Sequence, residues 1–308
     1  MAITITWPAT NAGTATAIRI YASTTRIADE ALGTPIATLA GTETSYLWTP
    51  PTDNTVYYFR IAIDVPTDTF LGDNQVYGYF STTGPGPQTL ARGSWELGYF
   101  GRVTTAEMLT TSALQTAVGA AGIPGVVANP GISHYCKFIR EGKILFMPVG
   151  GMVTNTYWES IYALGLVYGT DDNGAYPAGL TIGTPKNQKK IITIAGFNFL
   201  VRLPKGSTLP TTTLVTADPA DKIGSEWDQT MGRFNGTALL PDNQSSWDDT
   251  TNIASTSTQS SNYTQHMFTL AKACLHRGSG ANIDSIISLA SASTGANYSW
   301  APVLELQF

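Results

Sequence analysis

The sequence predicts a mainly β protein with a few helices, divided into two domains. At 308 residues the chain is longer than the size at which one core stops growing, roughly 250–300 residues. Charged residues make up only 13% of it, about half the usual share of roughly 25%. Thr, Ser, Asn and Gly take their place. Because Thr and aromatic residues favour strands while Gly and Asn favour turns, the composition indicates many short strands.

Residues 1–83 carry the first group of predicted strands. "ITITW" (3–7) and "AIRIYA" (17–22) alternate apolar and polar positions, and "VYYFRIAIDV" (56–65) is a longer run of the same kind. The segment "TPPTDNT" (49–55) breaks the pattern immediately before that run, as a turn does. Short strands separated by turns predict an antiparallel sandwich.

The spacing of Trp7, Tyr21 and Leu47 before the Tyr-rich strand resembles a fibronectin type III or immunoglobulin-like domain. The resemblance implies a β-sandwich over residues 1–83. The first strand of that family should precede residue 3, where no room is left for it. We therefore expect an open sheet edge that an assembly partner would cover.

Residues 84–125 are predicted to hold a linker and one helix. "TTGPGPQ" (82–88) alternates Pro and Gly, which indicates an extended linker. In "TTAEMLTTSALQTAVG" (104–119), Thr104 and Glu107 form a capping-box pattern and Gly119 stands where a C′ residue would. The pattern predicts a helix over the whole of 104–119.

Residues 126–308 are predicted to form a second β-rich domain with some helix. Two segments indicate hairpins, residues 135–150 around "REGK" and residues 190–206 around Gly196. Short helices are predicted within 158–169 and 225–234, the second with Ser225 as its N-cap. The other segments are predicted as follows: a tight turn at 171–174, a polar Ser/Thr/Asn-rich stretch over 243–266, a second polar loop after the segment 267–278, and a closing strand in "YSWAPVLELQF" (298–308).

Composition and motifs argue against several classes of function. The net charge of −5 disfavours nucleic acid, since "KNQKK" (186–190) is the one basic cluster and is typical of a solvated turn. The sequence carries no signal-peptide pattern and no run of 18 apolar residues, so we expect synthesis in the cytoplasm and no membrane span. Cys136 and Cys274 are open to two interpretations, a disulfide or free buried thiols, of which free thiols are favoured.

The search for an active site predicts no catalytic residue, no metal and no cofactor. His134 and Cys136 share a strand face, but two ligands from unlike motifs make no zinc site. "DDNG" (171–174) lacks most of a calcium loop and is predicted to be a turn. Asp248 and Asp249 would be the acids of a polysaccharide-degrading enzyme, an alternative that adjacent acids in a polar loop support poorly.

A binding surface is the remaining hypothesis. Flat aromatic rings in polar loops give contact area at low entropy cost, although each ring can equally anchor its loop to the core. The candidate ligand-binding residues are Trp247, Tyr263, His266, His276, Arg277 and Tyr298.

Six segments follow one another in a recognisable order within residues 126–308. They are "KFIREGKILFMP" (137–148), "WESIYALGLVYG" (158–169), "GFNFLVRLPKG" (196–206), "SEWDQTMGRF" (225–234), "HRG" (276–278) and "YSWAPVLEL" (298–306). Together they resemble a domain found in structural proteins of tailed bacteriophages, at the ends of tail fibres and other virion appendages. The last segment is similar to the closing strand of the C-type-lectin-like fold, in which the last strand pairs beside the first. The resemblance implies that residues 235–297 supply the polar loops which that fold displays between them. Ala301 stands where that pattern has an Arg.

The resemblance implies a structural component of a tailed-phage virion, located in the particle after synthesis in the host cytoplasm. Its expected partners are other virion proteins and further copies of itself, as a homo-oligomer. Host-surface carbohydrate remains open as a further partner. Two alternatives stay beside this one, a host glycan-binding adhesin and a capsid decoration protein.

Overall fold

The structure is a computed structural model that describes residues 2–8, 14–119, 122–127, 131–216, 218–234, 247, 261–269, 273–279, 282–290 and 298–308. The chain divides into two compact units. Unit 1 comprises Met1–Thr83 and Ser94–Glu96, and unit 2 comprises Gly84–Gly93 and Leu97–Phe308. Strands make up 40% and helices 10%, so the predicted mainly β fold class is confirmed.

Unit 1 consists of short antiparallel strands in two sheets. The strands are β1 (Ile3–Thr6), β2 (Ala17–Ser23), β3 (Ala37–Ala40), β4 (Ser45–Trp48), β5 (Thr55–Val65), β6 (Asp68–Leu71) and β7 (Gln75–Tyr79). One sheet is the pair β1–β4, and the other has the order β3-β2-β5-β6 with β7 also paired to β5. The predicted runs at 3–7, 17–22 and 56–65 therefore all form strands.

The core of unit 1 lies between these sheets. Ile5, Ile20 and Phe59 are fully buried, because alternate residues of β1, β2 and β5 face inward. The Trp48 ring meets Phe59 edge-on, with 5.2 Å between ring centroids. Leu47, its neighbour on β4, faces the other way and is 67% exposed.

Unit 2 contains the remaining elements. They are β8 (Arg92–Gly93), β9 (Leu97–Thr104), α1 (Thr111–Val118), β10 (Val126–Val127), β11 (His134–Arg140), β12 (Lys143–Pro148), β13 (Val153–Thr154), α2 (Trp158–Ala163), β14 (Lys190–Ile194), β15 (Phe197–Arg202), α3 (Glu226–Gln229), β16 (Ser261–Thr269), β17 (Ala273–Ser279), β18 (Asn282–Ala290), β19 (Tyr298–Trp300) and β20 (Val303–Gln307). Short 3₁₀ turns cover Pro219–Asp221 and Met231–Phe234.

Two sheets organise unit 2. The larger has seven strands in the order β14-β15-β20-β12-β11-β9-β8, and the smaller has six in the order β10-β13-β19-β16-β17-β18. An aromatic cluster of Tyr99, Phe138, Phe234 and Trp247 packs on the larger sheet. None of the described helices has the length and apolarity needed to cross a membrane.

Both predicted hairpins of unit 2 are confirmed. The turn between β11 and β12 has positive φ at Glu141 (52°) and Gly142 (73°), and the turn between β14 and β15 has positive φ at Ala195 (49°) and Gly196 (84°). Two successive positive φ values define the type I′ turn, whose twist matches that of the flanking strands. A glycine at the second position removes the strain that any other residue would meet there.

The closing strand is tied into the middle of the larger sheet, as predicted. β20 pairs with β15 through five residues and with β12 through two, and its Val303 and Leu304 are fully buried. Its neighbours are therefore β15 and β12, not the first strand of the unit as the C-type-lectin-like resemblance implies. The short strand β19, just before it, joins the smaller sheet.

The predicted helix over 104–119 is wrong in its first half. The capping box forms, with the Thr104 amide donating to Glu107 (2.9 Å), but it closes only a turn because Thr104 is still the last residue of β9. The helix begins after Thr110, whose hydroxyl caps it by accepting a hydrogen bond from the Ala113 amide. Gly119 has an extended backbone (φ 175°) and is not a left-handed C′ residue.

The predicted linker is packed on unit 2 from Gly84 onward. The buried Lys137 ammonium on β11 donates to the carbonyl oxygens of Pro87 (2.6 Å) and Pro85 (2.9 Å). The same ammonium lies 5.0 Å from the centre of the Phe100 ring. A lysine side chain thus holds a segment whose Pro residues offer no amide donors for a sheet.

We predict that deleting residues 300–308 abolishes the cooperative unfolding of unit 2, because removal of β20 leaves β12 and β15 without the strand between them. Calorimetry of the full chain and the deletion variant measures this. Removal of Phe308 alone is the control, since that residue lies beyond β20 and is 58% exposed. An unchanged heat-absorption peak in the 300–308 deletion would contradict the prediction.

Candidate functional site

A cleft of about 720 Å³ opens in unit 2 beside the C-terminal part of β15. The volume is within the range of small-molecule sites, roughly 300–1,000 Å³. Its charged lining side chains are Arg140, Lys143, Arg202, Lys205, Glu141, Glu226 and Glu305. A wall of the cleft is the segment 205–212, which follows β15 directly.

Arg202, the last residue of β15, forms the floor of the cleft. Its guanidinium makes a bidentate pair with Glu226 on α3, at 2.8 Å and 2.7 Å. Its Nε donates to Glu305 on β20 at 2.9 Å, and Lys143 on β12 approaches the other oxygen of Glu305 at 2.9 Å. The three side chains of the Arg202, Glu226 and Glu305 triad are 3–8% exposed. Four elements are therefore joined by one ionic network, in which the triad is buried and Lys143 is 55% exposed.

The network fixes the charge state of its members. Burial alone would raise the pKa of Glu226, but the charge and hydrogen bonds of Arg202 outweigh it and hold the pKa at about 2. Burial would likewise raise the pKa of Glu305, yet Arg202 and Lys143 lower it overall. Both carboxylates remain ionised, so neither is available as a general acid near neutral pH.

A second buried ion pair joins α3 to β17. Asp228 on α3 pairs with Arg277 on β17, and the Nη1 of Arg277 also donates to the Gly206 carbonyl (3.3 Å). Burial raises the pKa of Asp228, an effect that the charge of Arg277 only partly offsets. Ser225 caps α3 as predicted, accepting from the Asp228 amide. This short helix thus presents Glu226 to one arginine and Asp228 to another.

The wall segment carries the polar groups that the protein itself leaves unused. Lys205 is exposed, and its ammonium has no partner in the part of the chain that the structure describes. The same holds for the hydroxyls of Thr211 and Thr212. Leu209 and Pro210, which precede these two threonines in the chain, add apolar surface to the cleft.

His266 is the one predicted ligand-binding residue that lines the cleft. It is 1% exposed, and its Nε2 lies 3.0 Å from the Leu209 carbonyl on the wall. Burial lowers the pKa of His266 to about 4, with the charge of Lys205 acting in the same direction. A neutral imidazole that donates to Leu209 is the consequence at neutral pH.

The other five predicted residues are placed elsewhere in unit 2. Trp247 is in the aromatic cluster and donates to the Thr230 carbonyl (3.0 Å), and Tyr263 donates to the Thr156 carbonyl (3.0 Å). His276 lies between the rings of Tyr263 (4.3 Å) and Tyr298 (5.1 Å). Arg277 is in the ion pair described above, and of the five only Tyr298 is even partly exposed. They do not form an exposed contact surface.

The prediction of polar loops over 235–297 is wrong in part, because three strands lie within that range. Four of the predicted ligand-binding residues are in these strands. β16, β17 and β18 all lie within that range, and Tyr263, His266, His276 and Arg277 belong to these strands. A strand in a packed sheet can hold polar residues on its inner face when partners satisfy them. The Ser and Thr content of the segment indicated loops, but Tyr263, His266, His276 and Arg277 are buried in these strands.

No cluster of three or more metal-binding side chains is present among the described residues. Cys136 and Cys274 are both buried free thiols, in agreement with the favoured interpretation. Asp248 and Asp249 lie outside the described residues. The turn at 171–174 is formed, with the Asp172 carboxylate accepting from the Gly174 amide (2.7 Å).

Apart from His266, the residues of the cleft were not predicted as site residues, although all seven charged ones stand in segments that were singled out. Arg202, Glu226 and Glu305 belong to the Val-Arg-Leu, Ser-Glu-Trp and Val-Leu-Glu segments. A charged residue inside an otherwise apolar strand signals a buried partner, since an isolated buried charge is too costly. Nothing in the sequence shows that their partners are each other.

We predict that Arg202→Met lowers the free energy of unfolding by about 3–5 kcal/mol, because it leaves two buried carboxylates without their cation. Arg19→Met is the matched control, since the Arg19–Asp64 pair has side chains 34% and 23% exposed and such pairs contribute about 0–1 kcal/mol. Urea denaturation measures both. The double variant Arg202→Met/Glu226→Gln should recover part of the loss, and an equal effect of the two single arginine variants would contradict the prediction.

We also predict a specific acid-sensitivity. A carboxyl whose folded pKa lies below its unfolded value stabilises the fold above the unfolded pKa, and this stabilisation is lost as the pH falls towards the folded pKa. For Glu226 the window runs from 4.5 down to about 2. The stability advantage of wild type over Glu226→Gln should therefore shrink by about 3 kcal/mol across it. Glu141→Gln, with a side chain 63% exposed, is the control; a constant advantage at all pH values would contradict the prediction.

Comparison with known proteins gives no assignment for this geometry. No protein-family model, no curated protein and no solved structure matches the chain.

Proposed function

We propose that the protein is a structural component of a tailed-bacteriophage virion, an appendage or adaptor that acts by assembling with other virion proteins. The observation that carries the proposal is the resemblance of the six ordered segments of residues 137–306 to a phage appendage domain. Residues from four of those segments form the buried ion pairs of unit 2: Arg202 pairs with Glu226 and Glu305, and Arg277 pairs with Asp228. The segments that carry the resemblance therefore include side chains that hold unit 2 together.

Unit 1 supports assembly as its role. In the described part of the chain, β1 and β4 have only each other as neighbours, so each has an edge with open backbone groups. Leu47 and Phe70 are large apolar side chains exposed by 67% and 51%. In the proposed arrangement, unit 1 docks on the particle and other copies or virion proteins cover these features.

A host glycan-binding adhesin is the second candidate, and the cleft of unit 2 is the observation that favours it. The two functions are compatible, because an appendage that assembles through one unit can bind a host surface through another. Capsid decoration differs from both only in the location of the chain on the particle.

We predict that the chain is found in purified particles of the phage that encodes it, as measured by mass spectrometry of gradient-banded virions. Gold-labelled antibody against unit 2 should mark the tail, whereas labelling of the head would favour capsid decoration. A chain that is abundant in infected cells but absent from the particles would contradict the proposal.

A matched pair of variants tests the docking role of unit 1 in the same assay. Leu47→Lys should reduce incorporation into particles by about tenfold, because a charge at an apolar contact must be desolvated. Thr38→Lys, on an exposed position of β3, should leave incorporation unchanged. Both side chains face solvent in the chain, so neither change should alter its melting temperature.

A further inference from the structure

We propose that the cleft of unit 2 binds a saccharide that carries a single negatively charged group, held by Lys205 and the hydroxyl-bearing segment 207–212. The inference goes beyond the proposed function, because a purified chain can bind such a ligand whether or not it belongs to a virion. Two observations carry the inference: which residues line the cleft, and which of their polar groups are already paired within the protein.

The charge balance of the cleft favours an anion. Four cationic and three anionic side chains line it, which gives a formal net charge of +1 in a chain whose net charge is −5. The three carboxylates are matched within the protein: Glu226 by Arg202, Glu305 by Arg202 and Lys143, and Glu141 by Arg140 at 2.7 Å. The charge left over is that of Lys205, whose ammonium has no partner in the described parts of the chain.

The same balance argues against other ligands. A divalent cation needs carboxylate oxygens, but those of Glu226 and Glu305 already accept from arginine and lysine. A polyphosphate would need more than one uncompensated cation, since each phosphate brings further negative charge. A purely apolar ligand would remove water from the Lys205 ammonium and from the Thr211 and Thr212 hydroxyls without replacing those contacts.

The remaining lining suits a sugar ring. Thr211 and Thr212 offer hydroxyls that no described group of the protein occupies, and a hydroxyl both donates and accepts. Leu209 and Pro210 offer apolar surface of the kind that packs against the C–H faces of a ring. One cation, two hydroxyls and an apolar strip match one anionic group, several ring hydroxyls and one ring face.

The segment is held in place before any ligand arrives. The amide of Thr208 donates to the Asp221 carbonyl (3.0 Å), and the amide of Val215 donates to the Met267 carbonyl (2.9 Å). Between these anchors the Leu209 carbonyl meets His266 at 3.0 Å. A preorganised wall lowers the entropic cost of ordering side chains around a weakly bound sugar.

Isothermal titration calorimetry of the full chain tests the proposal, with D-glucuronate, D-galacturonate and glucose 6-phosphate as charged probes. Glucose is the neutral control and acetate the charge-only control. We expect at least one charged sugar to bind at least about tenfold more tightly than glucose and acetate, and its affinity to fall as salt is raised. The uronates and the sugar phosphate distinguish a carboxylate from a phosphate as the anionic group.

Lys205→Gln should weaken that binding by about tenfold, as loss of one charge-assisted contact implies. Lys186→Gln is the matched control, because Lys186 is an exposed lysine of the same unit outside the cleft. Should Lys205→Gln prove unstable by melting temperature, Thr211→Val carries the same test. Absence of binding by every charged sugar, equal binding of glucose, or unchanged affinity in the cleft variants would overturn the proposal, and none of these results bears on incorporation into virions.

Discussion

The buried guanidinium of Arg202 is the constraint on which unit 2 depends. A charge taken out of water is tolerated only when partners compensate it and satisfy its donors. Its partners are Glu226 and Glu305, 24 and 103 residues away along the chain. β15, α3 and β20 must therefore come together for the charge to be buried at all. Any arrangement of the chain that misplaces one of the three elements leaves an uncompensated ion in the core, so the network selects one topology.

The same network decides the character of the cleft above it. Because the floor is electrically balanced, it contributes polarity and rigidity but little net charge. The preference for a ligand then depends on the wall segment, in which Lys205 lies three residues after Arg202. The amide of Lys205 donates to Glu226 at 3.1 Å, so the backbone that carries the exposed ammonium is fixed by the buried carboxylate. A structural ion pair thereby positions a candidate binding group.

Much of the fold was predictable from local sequence patterns. The predictions that failed concern residues whose structure depends on contacts with residues distant in the sequence. The "EG" and "AG" turns specify their hairpins because two adjacent residues determine a type I′ turn. The helix at 104–119 was misplaced because the pairing of Thr104 with His134, thirty residues on, keeps it in β9. The strands within 235–297 and the burial of His276 and Arg277 depend on neighbours that no local pattern shows. The Arg202 network could not be predicted for the same reason. Each of its charged residues indicates that a buried partner exists, but the sequence does not identify that partner.

Fold and ligand preference are only partly separable in this architecture, because Lys205 lies in the same segment as Arg202 and its amide donates to Glu226. The buried pairs of Arg202, Glu226, Asp228 and Arg277 all lie in the six segments that resemble phage appendage proteins, whereas Thr211 and Thr212 lie outside them. The segment is held by the Ser207 hydroxyl, by the contact of His266 with the Leu209 carbonyl and by backbone hydrogen bonds, none of which a change of side chain at 208–212 removes. New side chains at residues 208–212 can therefore alter what the cleft accepts at little cost to the network beneath. In the proposed virion role, such a scaffold would keep its assembly contacts while the ligand of the cleft changes.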